Sequence, residues 1–153
     1  MDIRYLVDCR QVIPQIARWL FDEWGRLLPG MSIEGGITRL QERLRRDQRP
    51  LTMVAMEAEV AIGTVSLVPF DMETRPDLSP WLASLYVAPD LRRCGIGSAL
   101  IVAVVREAKR LGIDSLFLFT DSSQALYAKH GWQTVESCLY HNRAVVIMRK
   151  SVL

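Results

Sequence analysis

The sequence predicts a mixed α/β fold, built as a single domain over residues 1–153 with about seven strands and about four helices. Three observations lead there. Half of the 153 residues are hydrophobic, enough to fill one core at a length that suits one domain. The hydrophobic spacing switches repeatedly between short strand-like runs and repeats of three and four. One stretch, residues 85–100, reads as strand, glycine turn and helix, and the other elements arrange themselves on either side of it.

Taken in order, Ile3, Tyr5 and Val7 alternate with Arg4, Leu6 and Asp8 as a first strand. The helix that follows tolerates Pro14 in its first turn, buries Ile13, Ile16, Leu20 and Trp24, and ends at Gly25. Ser32 is the N-cap of a second helix with Ile33, Ile37, Leu40 and Leu44 facing inward, its first turn weakened by Gly35 and Gly36. Arg39, Arg43, Arg45, Arg46 and Arg49 fall on the polar side and tail of that helix and read as a solvated face. Residues 51–56 and 61–68 form an antiparallel hairpin turned at Glu57-Ala58-Glu59. Pro69 closes it, and a loop holding Asp71, Glu73 and Asp77 runs to Pro80. Trp81 opens the next strand.

That strand ends in Leu85, Tyr86 and Val87, and Pro89, which has no N–H to give a ladder, stops it. Arg92 and Arg93 lead into Cys94, Gly95, Ile96 and Gly97. From Ser98 a helix runs with Leu100, Ile101, Val104, Val105 and Ala108 on one side, ending at Gly112. A helix start leaves N–H groups unpaired and carries partial positive charge. Glycines let a ligand reach the main chain without meeting a Cβ. With two arginines beside them, these features make a pyrophosphate cradle. No Lys follows the glycines, which excludes a P-loop, and Leu100 stands where a dinucleotide fingerprint wants a third glycine. Downstream, residues 115–120 read as a strand, Asp121 or Ser122 as the cap of a short helix over 124–130, and residues 132–140 and 144–150 as a closing hairpin around His141-Asn142-Arg143.

What remains at the cradle is R-x-x-G-x-G (Arg92, Gly95, Gly97) after a V-x-P strand end (Val87, Pro89). With these residues, and with the order of strands and helices, the chain resembles the GNAT superfamily of N-acetyltransferases. The resemblance implies a central mixed, largely antiparallel sheet flanked by helices, splayed between the strand ending at Val87 and the strand ending at Thr120. The pantetheine arm of acetyl-CoA fills that gap in the family like an added strand. The coenzyme residues implied here are Leu85, Tyr86, Val87, Arg92, Arg93, Cys94, Gly95, Ile96, Gly97, Ser98 and, in the area of an upstream pantetheine contact, Ser123 beside Ser122. Tyr127 lies in Y-x-x-x-G-W (Tyr127, Gly131, Trp132), similar to the family's Y-x-x-x-G-F/Y/W, and is the expected general acid for the departing thiolate.

On the acceptor side the expected residues are Asp71, Glu73, Trp81, Tyr140 and His141, with Asp71 and Glu73 both open as the general base. His130, beside a helix-ending glycine, reads as a partner of the helix dipole. The expected activity is acetyl transfer from acetyl-CoA to a primary amine of a small molecule or peptide, by direct attack in a ternary complex and with no metal. A non-catalytic acetyl-CoA sensor on the same fold, or a different acyl donor, stays open. A net charge of +2 is too small to argue for nucleic acid or a membrane surface. Three scattered cysteines, no leader-like apolar segment at the start and no long apolar run fit a cytoplasmic protein, monomeric or homodimeric.

Overall fold

The computed structural model describes residues 1–152. In chain order the elements are β1 (Asp2–Tyr5), α1 (Ile13–Glu23), α2 (Ile33–Gln41), β2 (Leu51–Glu57), β3 (Val60–Val68), β4 (Trp81–Val87), α3 (Ile96–Arg110), β5 (Ser115–Thr120), α4 (Gln124–Lys129), β6 (Gln133–Tyr140) and β7 (Arg143–Ser151). The strands form one seven-stranded sheet in the order β1-β2-β3-β4-β5-β7-β6. Every neighbouring pair is antiparallel except β4 and β5, which the α3 crossover makes parallel.

Alternation along β2 shows why the sheet is covered on both faces. Leu51, Met53 and Ala55 pack with Leu100, Ile101, Val104 and Ala108 of α3. Val54 and Met56, pointing the other way, pack with Ile13 and Ile16 of α1 and Leu40 of α2. A strand buried on both faces has no exposed polar face, hence the mainly apolar β2 and β3, whose few polar side chains, Thr52, Thr64 and Ser66, are buried and hydrogen-bonded. Ser32 caps α2 as expected, accepting from the Gly35 N–H at 3.0 Å.

The feature that makes a site is the contact between β4 and β5. These strands pair only at Trp81 and Phe117, where Phe117 N donates to Pro80 O at 3.0 Å, and then part. On its other side β4 carries a bulge: its register against β3 runs from Ala83–Ser66 straight to Tyr86–Thr64. Ser84 in that bulge has φ +56°, a left-handed conformation that no glycine announces in the sequence.

Three local expectations change. Helix α1 ends at Glu23, and Trp24 is exposed and lies edge-on to Tyr86 with ring centres 6.3 Å apart, so Ala17 joins Ile13 and Ile16 in the buried stripe instead. Neither Asp121 nor Ser122 caps α4: Asp121 pairs with Arg143 at 3.4 Å, and the Thr120 hydroxyl accepts from Ser123 N at 3.0 Å. Arg43 leaves the solvated face and turns inward, donating to the Ser66 hydroxyl at 3.1 Å.

Candidate active site

The turn between β4 and α3 is exposed through residues 89–95, and Gly95 takes the N-cap position of α3 at φ +86°. The first amide bonded back along the helix is Ala99 N, to Gly95 O at 3.0 Å. The N–H groups of Ile96, Gly97 and Ser98 precede it and have no carbonyl within the helix to bond to. A Cβ added at Gly97 would meet only Val87 Cγ2, at 3.8 Å, so the space over this turn is not filled by the protein. Arg92 is tied to the protein at the end of β4. Its Nε donates to the Val87 carbonyl at 3.0 Å and its guanidinium stacks 5.2 Å from the Tyr86 ring centre. It stiffens the exit from β4 and takes the Val87 carbonyl out of the set available to a ligand. Arg93 and Cys94 stand exposed on the turn.

Across the gap, Tyr127 of α4 is buried to 6% exposure and lies edge-on to Trp132, ring centres 6.0 Å apart. Its backbone is held closely: Tyr127 O accepts from His130 N at 2.9 Å and from Trp132 N at 3.2 Å. Burial first, and the charge of Asp71 second, push its phenol above the ordinary tyrosine value. It is therefore a protonated donor throughout the neutral range.

Asp71, in the β3–β4 loop, is near enough for its charge to act on both Tyr127 and Tyr140. Crowding by protein raises its carboxyl from 3.8 to about 6, with Arg43 opposing the rise. Part of its surface stays open. Arg43 is itself anchored, through Ser66, to Thr52, whose hydroxyl lies 2.7 Å from that of Ser66; both residues are fully buried. Burial lowers the Arg43 guanidinium and Asp71 raises it, so the two charges support each other.

The β6–β7 turn closes over this loop. His141 and Asn142 both take left-handed φ, +49° and +64°, which folds the hairpin tightly. Glu73 N–H donates to the Tyr140 hydroxyl at 3.4 Å, and His141 Nε2 lies 3.2 Å from Glu73 Oε1. The Tyr140 ring packs on Phe119 at 5.3 Å, and Phe119 on Trp81 at 6.2 Å. Trp81 is fully buried with its indole N–H donating to Leu78 O at 2.7 Å, so it supports this wall from beneath. Asp77 is drawn away by Arg75, which also holds Glu136 at 2.9 Å.

The expected residues thus fall into three groups. Gly95, Ile96, Gly97 and Ser98 form the open turn at the start of α3, Tyr127 lies buried on α4 within reach of the Asp71 charge, and Glu73, Tyr140 and His141 meet where the β6–β7 turn touches the β3–β4 loop. Arg43 and Phe119 were not singled out from the sequence; an arginine on a helix tail and a phenylalanine in an apolar strand carry no local sign of a site. Among the described residues no group of three or more His, Cys, Asp or Glu side chains has the arrangement to hold a metal ion, and no helix is long and apolar enough to cross a membrane.

Comparison with known proteins agrees with this geometry. The chain is 27% identical over 100 residues to the amino-acid acetyltransferase of Edwardsiella ictaluri (strain 93-146), a match covering 65% of this chain and 22% of that protein. The chain spans about a fifth of the length of this curated relative. Its fold superposes on an aminoglycoside 6'-N-acetyltransferase complexed with coenzyme A at a TM-score of 0.79, with 15% identity, covering 100% of this chain and 98% of the other. It also superposes on ribosomal-protein-alanine N-acetyltransferase from Brucella melitensis at 0.77, with 20% identity and 99% of both chains covered. At such identities these two likenesses speak for the fold. Residues 13–132, from the start of α1 to the tryptophan behind Tyr127, match the model of the acetyltransferase (GNAT) family, and the chain belongs to that family.

Proposed function

We propose that this chain, acting as one domain, is an N-acetyltransferase that moves the acetyl group of acetyl-CoA to a primary amine of a small molecule or peptide. The observation that carries the reading is the β4–β5 gap, closed only at Trp81 and Phe117; a buried Tyr127 whose phenol feels the charge of the partly open Asp71 carboxyl supports it. The fit of the coenzyme rests on the open turn at Gly95–Gly97 and the free amides of Ile96, Gly97 and Ser98, which suit a pyrophosphate. The parted strands leave main-chain groups of β4 without a β5 partner, which suits an arm carrying amides. When bound, acetyl-CoA supplies the acetyl group as an activated thioester.

The chain's own residues then handle protons. Asp71, ionised above pH about 6, holds the acceptor as its ammonium, which loses a first proton to solvent to become the neutral nucleophile. As the amine nitrogen forms its bond to the acetyl carbon, Asp71 takes a second proton from it, and Tyr127 gives its phenolic proton to the sulfur as the carbon–sulfur bond breaks. Counted from the neutral amine, one proton leaves nitrogen and one reaches sulfur; Asp71 then releases its proton to solvent and the tyrosine takes one back. Asp71, Glu73 and the Tyr140–Phe119 wall favour a cationic, partly apolar acceptor. The three cysteines are free, which supports a reducing, cytoplasmic setting.

The test is incubation with acetyl-CoA and a panel of monoamines, diamines and peptides with free N-termini, read by mass spectrometry for N-acetyl product. A product with one equivalent of free coenzyme A supports the reading. Binding of acetyl-CoA with no product from any amine would leave a non-catalytic coenzyme-binding module in its place.

A further inference from the structure

His130 was expected to serve only the end of its own helix, and the structure gives it a longer reach. Its Nε2 lies 3.0 Å from the Ser98 hydroxyl, in the first turn of α3. Its backbone N–H donates to Tyr127 O at 2.9 Å. Its own carbonyl accepts from Lys150 Nζ of β7 at 2.8 Å, which holds the end of α4 from the opposite side. A continuous path therefore runs from the first turn of α3 to the backbone of Tyr127. It crosses between α3 and α4, which are otherwise joined in sequence only through β5. Both ends of the path carry chemistry: Ser98 follows the free amides of Ile96 and Gly97, and Tyr127 bears the phenol.

We propose that His130 is a positioning residue that couples occupancy of the α3 cradle to the placement of Tyr127. The inference rests on the acetyl-CoA reading given above. An anion seated on the first turn of α3 accepts from its free amides, that of Ser98 among them, and so orders the residue. Ser98 fixes the imidazole through its hydroxyl, and the imidazole fixes the C-terminal turn of α4, whose amides bond to Tyr127 O. Helix α4 has only six residues, too few to hold its shape by its own hydrogen bonds. Its order therefore depends on such outside anchors, and coupling through a packed, hydrogen-bonded element of this kind is reciprocal. The consequence is a donor tyrosine that is best placed when the coenzyme's pyrophosphate is in position.

The test compares wild type, His130→Leu, Ser98→Ala and His130→Gln by amide hydrogen exchange with and without coenzyme A. In wild type, coenzyme A slows exchange in the first turn of α3 and in α4. In His130→Leu and Ser98→Ala the α3 protection remains while the α4 protection is lost; the two variants break the same bond from opposite ends, so a folding defect in one does not remove the test. His130→Gln, which keeps a hydrogen-bonding end, restores it. In turnover, His130→Leu lowers kcat about tenfold, within the range of coupled groups, and lowers it no further once Tyr127→Phe is present. Unchanged α4 protection in both variants, with α3 still protected, overturns the coupling alone. No protection of α3 in wild type overturns the coenzyme reading and the coupling with it.

Discussion

Asp71 carries the most quantitative prediction. Its carboxyl is raised from 3.8 to about 6, chiefly by burial, and Arg43 restrains the rise. A shift of that size corresponds to about 3 kcal/mol of preference for the neutral form, less what the open part of its surface lets solvent screen. The sign follows from linkage. The native carboxyl binds its proton more tightly than the unfolded one, so this group adds stability as pH falls from about 6 toward 3.8 and adds none above 6. Catalysis runs the other way, because only the carboxylate accepts a proton. The plot of log(kcat/KM) against pH for wild type should therefore fall on the acid side with a midpoint near 6. Asp71→Asn should lose that limb and run about 10²–10⁴-fold slower at pH 8. Arg43→Gln should move the limb above 6, since Arg43 lowers the Asp71 value. An acid limb that stays near 6 in Asp71→Asn would refute the assignment of Asp71 as the base.

Two further perturbations read the ligand sites. Gly97→Glu meets only Val87 Cγ2 at 3.8 Å at its Cβ, so the melting temperature should hold while KM for acetyl-CoA rises at least about tenfold through the negative charge over the helix start. Unchanged coenzyme affinity in that variant would displace the pyrophosphate from α3. Glu73 is exposed, with His141 Nε2 3.2 Å from its carboxylate and its own N–H donating to the Tyr140 hydroxyl. Glu73→Gln should raise KM for a dicationic acceptor about twofold to fivefold at low salt, less at high salt, and leave KM for acetyl-CoA alone. An equal effect on neutral and charged acceptors would reduce Glu73 to surface charge.

How much of this was legible in the sequence depended on distance along the chain. Strand β5 stands at residues 115–120 as read, because its apolar run is bounded on both sides by breaks in pattern. The cradle was legible for the same reason: Val87, Pro89, Arg92, Gly95 and Gly97 are local signals, and each acts on the backbone where it stands. The bulge at Ser84 was not, since a left-handed serine sends no compositional sign and is held there by its neighbours in β3. Nor was the inward turn of Arg43, whose partners Ser66 and Asp71 lie more than twenty positions away and on another element. The tie of Arg92 to Val87 and Tyr86 was not legible either, although both lie close in sequence, because a guanidinium can satisfy an edge carbonyl and stack on a ring at once without any compositional sign. The link from His130 to Ser98 crosses 32 positions, and only the fold, which brings the end of α4 beside the start of α3, joins them.

The most direct test of the central claim is steady-state kinetics of Tyr127→Phe with an amine found to be acetylated by the wild type. The substitution keeps the ring that packs on Trp132 and removes only the hydroxyl assigned as the proton donor. The account predicts an unchanged KM for acetyl-CoA with kcat and kcat/KM both lower by about 10²–10⁴-fold, the pattern of an interaction made in the transition state. The defect should shrink with a donor whose thiol is more acidic, since that sulfur leaves without needing the proton. Wild-type turnover in Tyr127→Phe, with free thiol and N-acetyl product released at the usual rate, would contradict it and leave the tyrosine as part of the core.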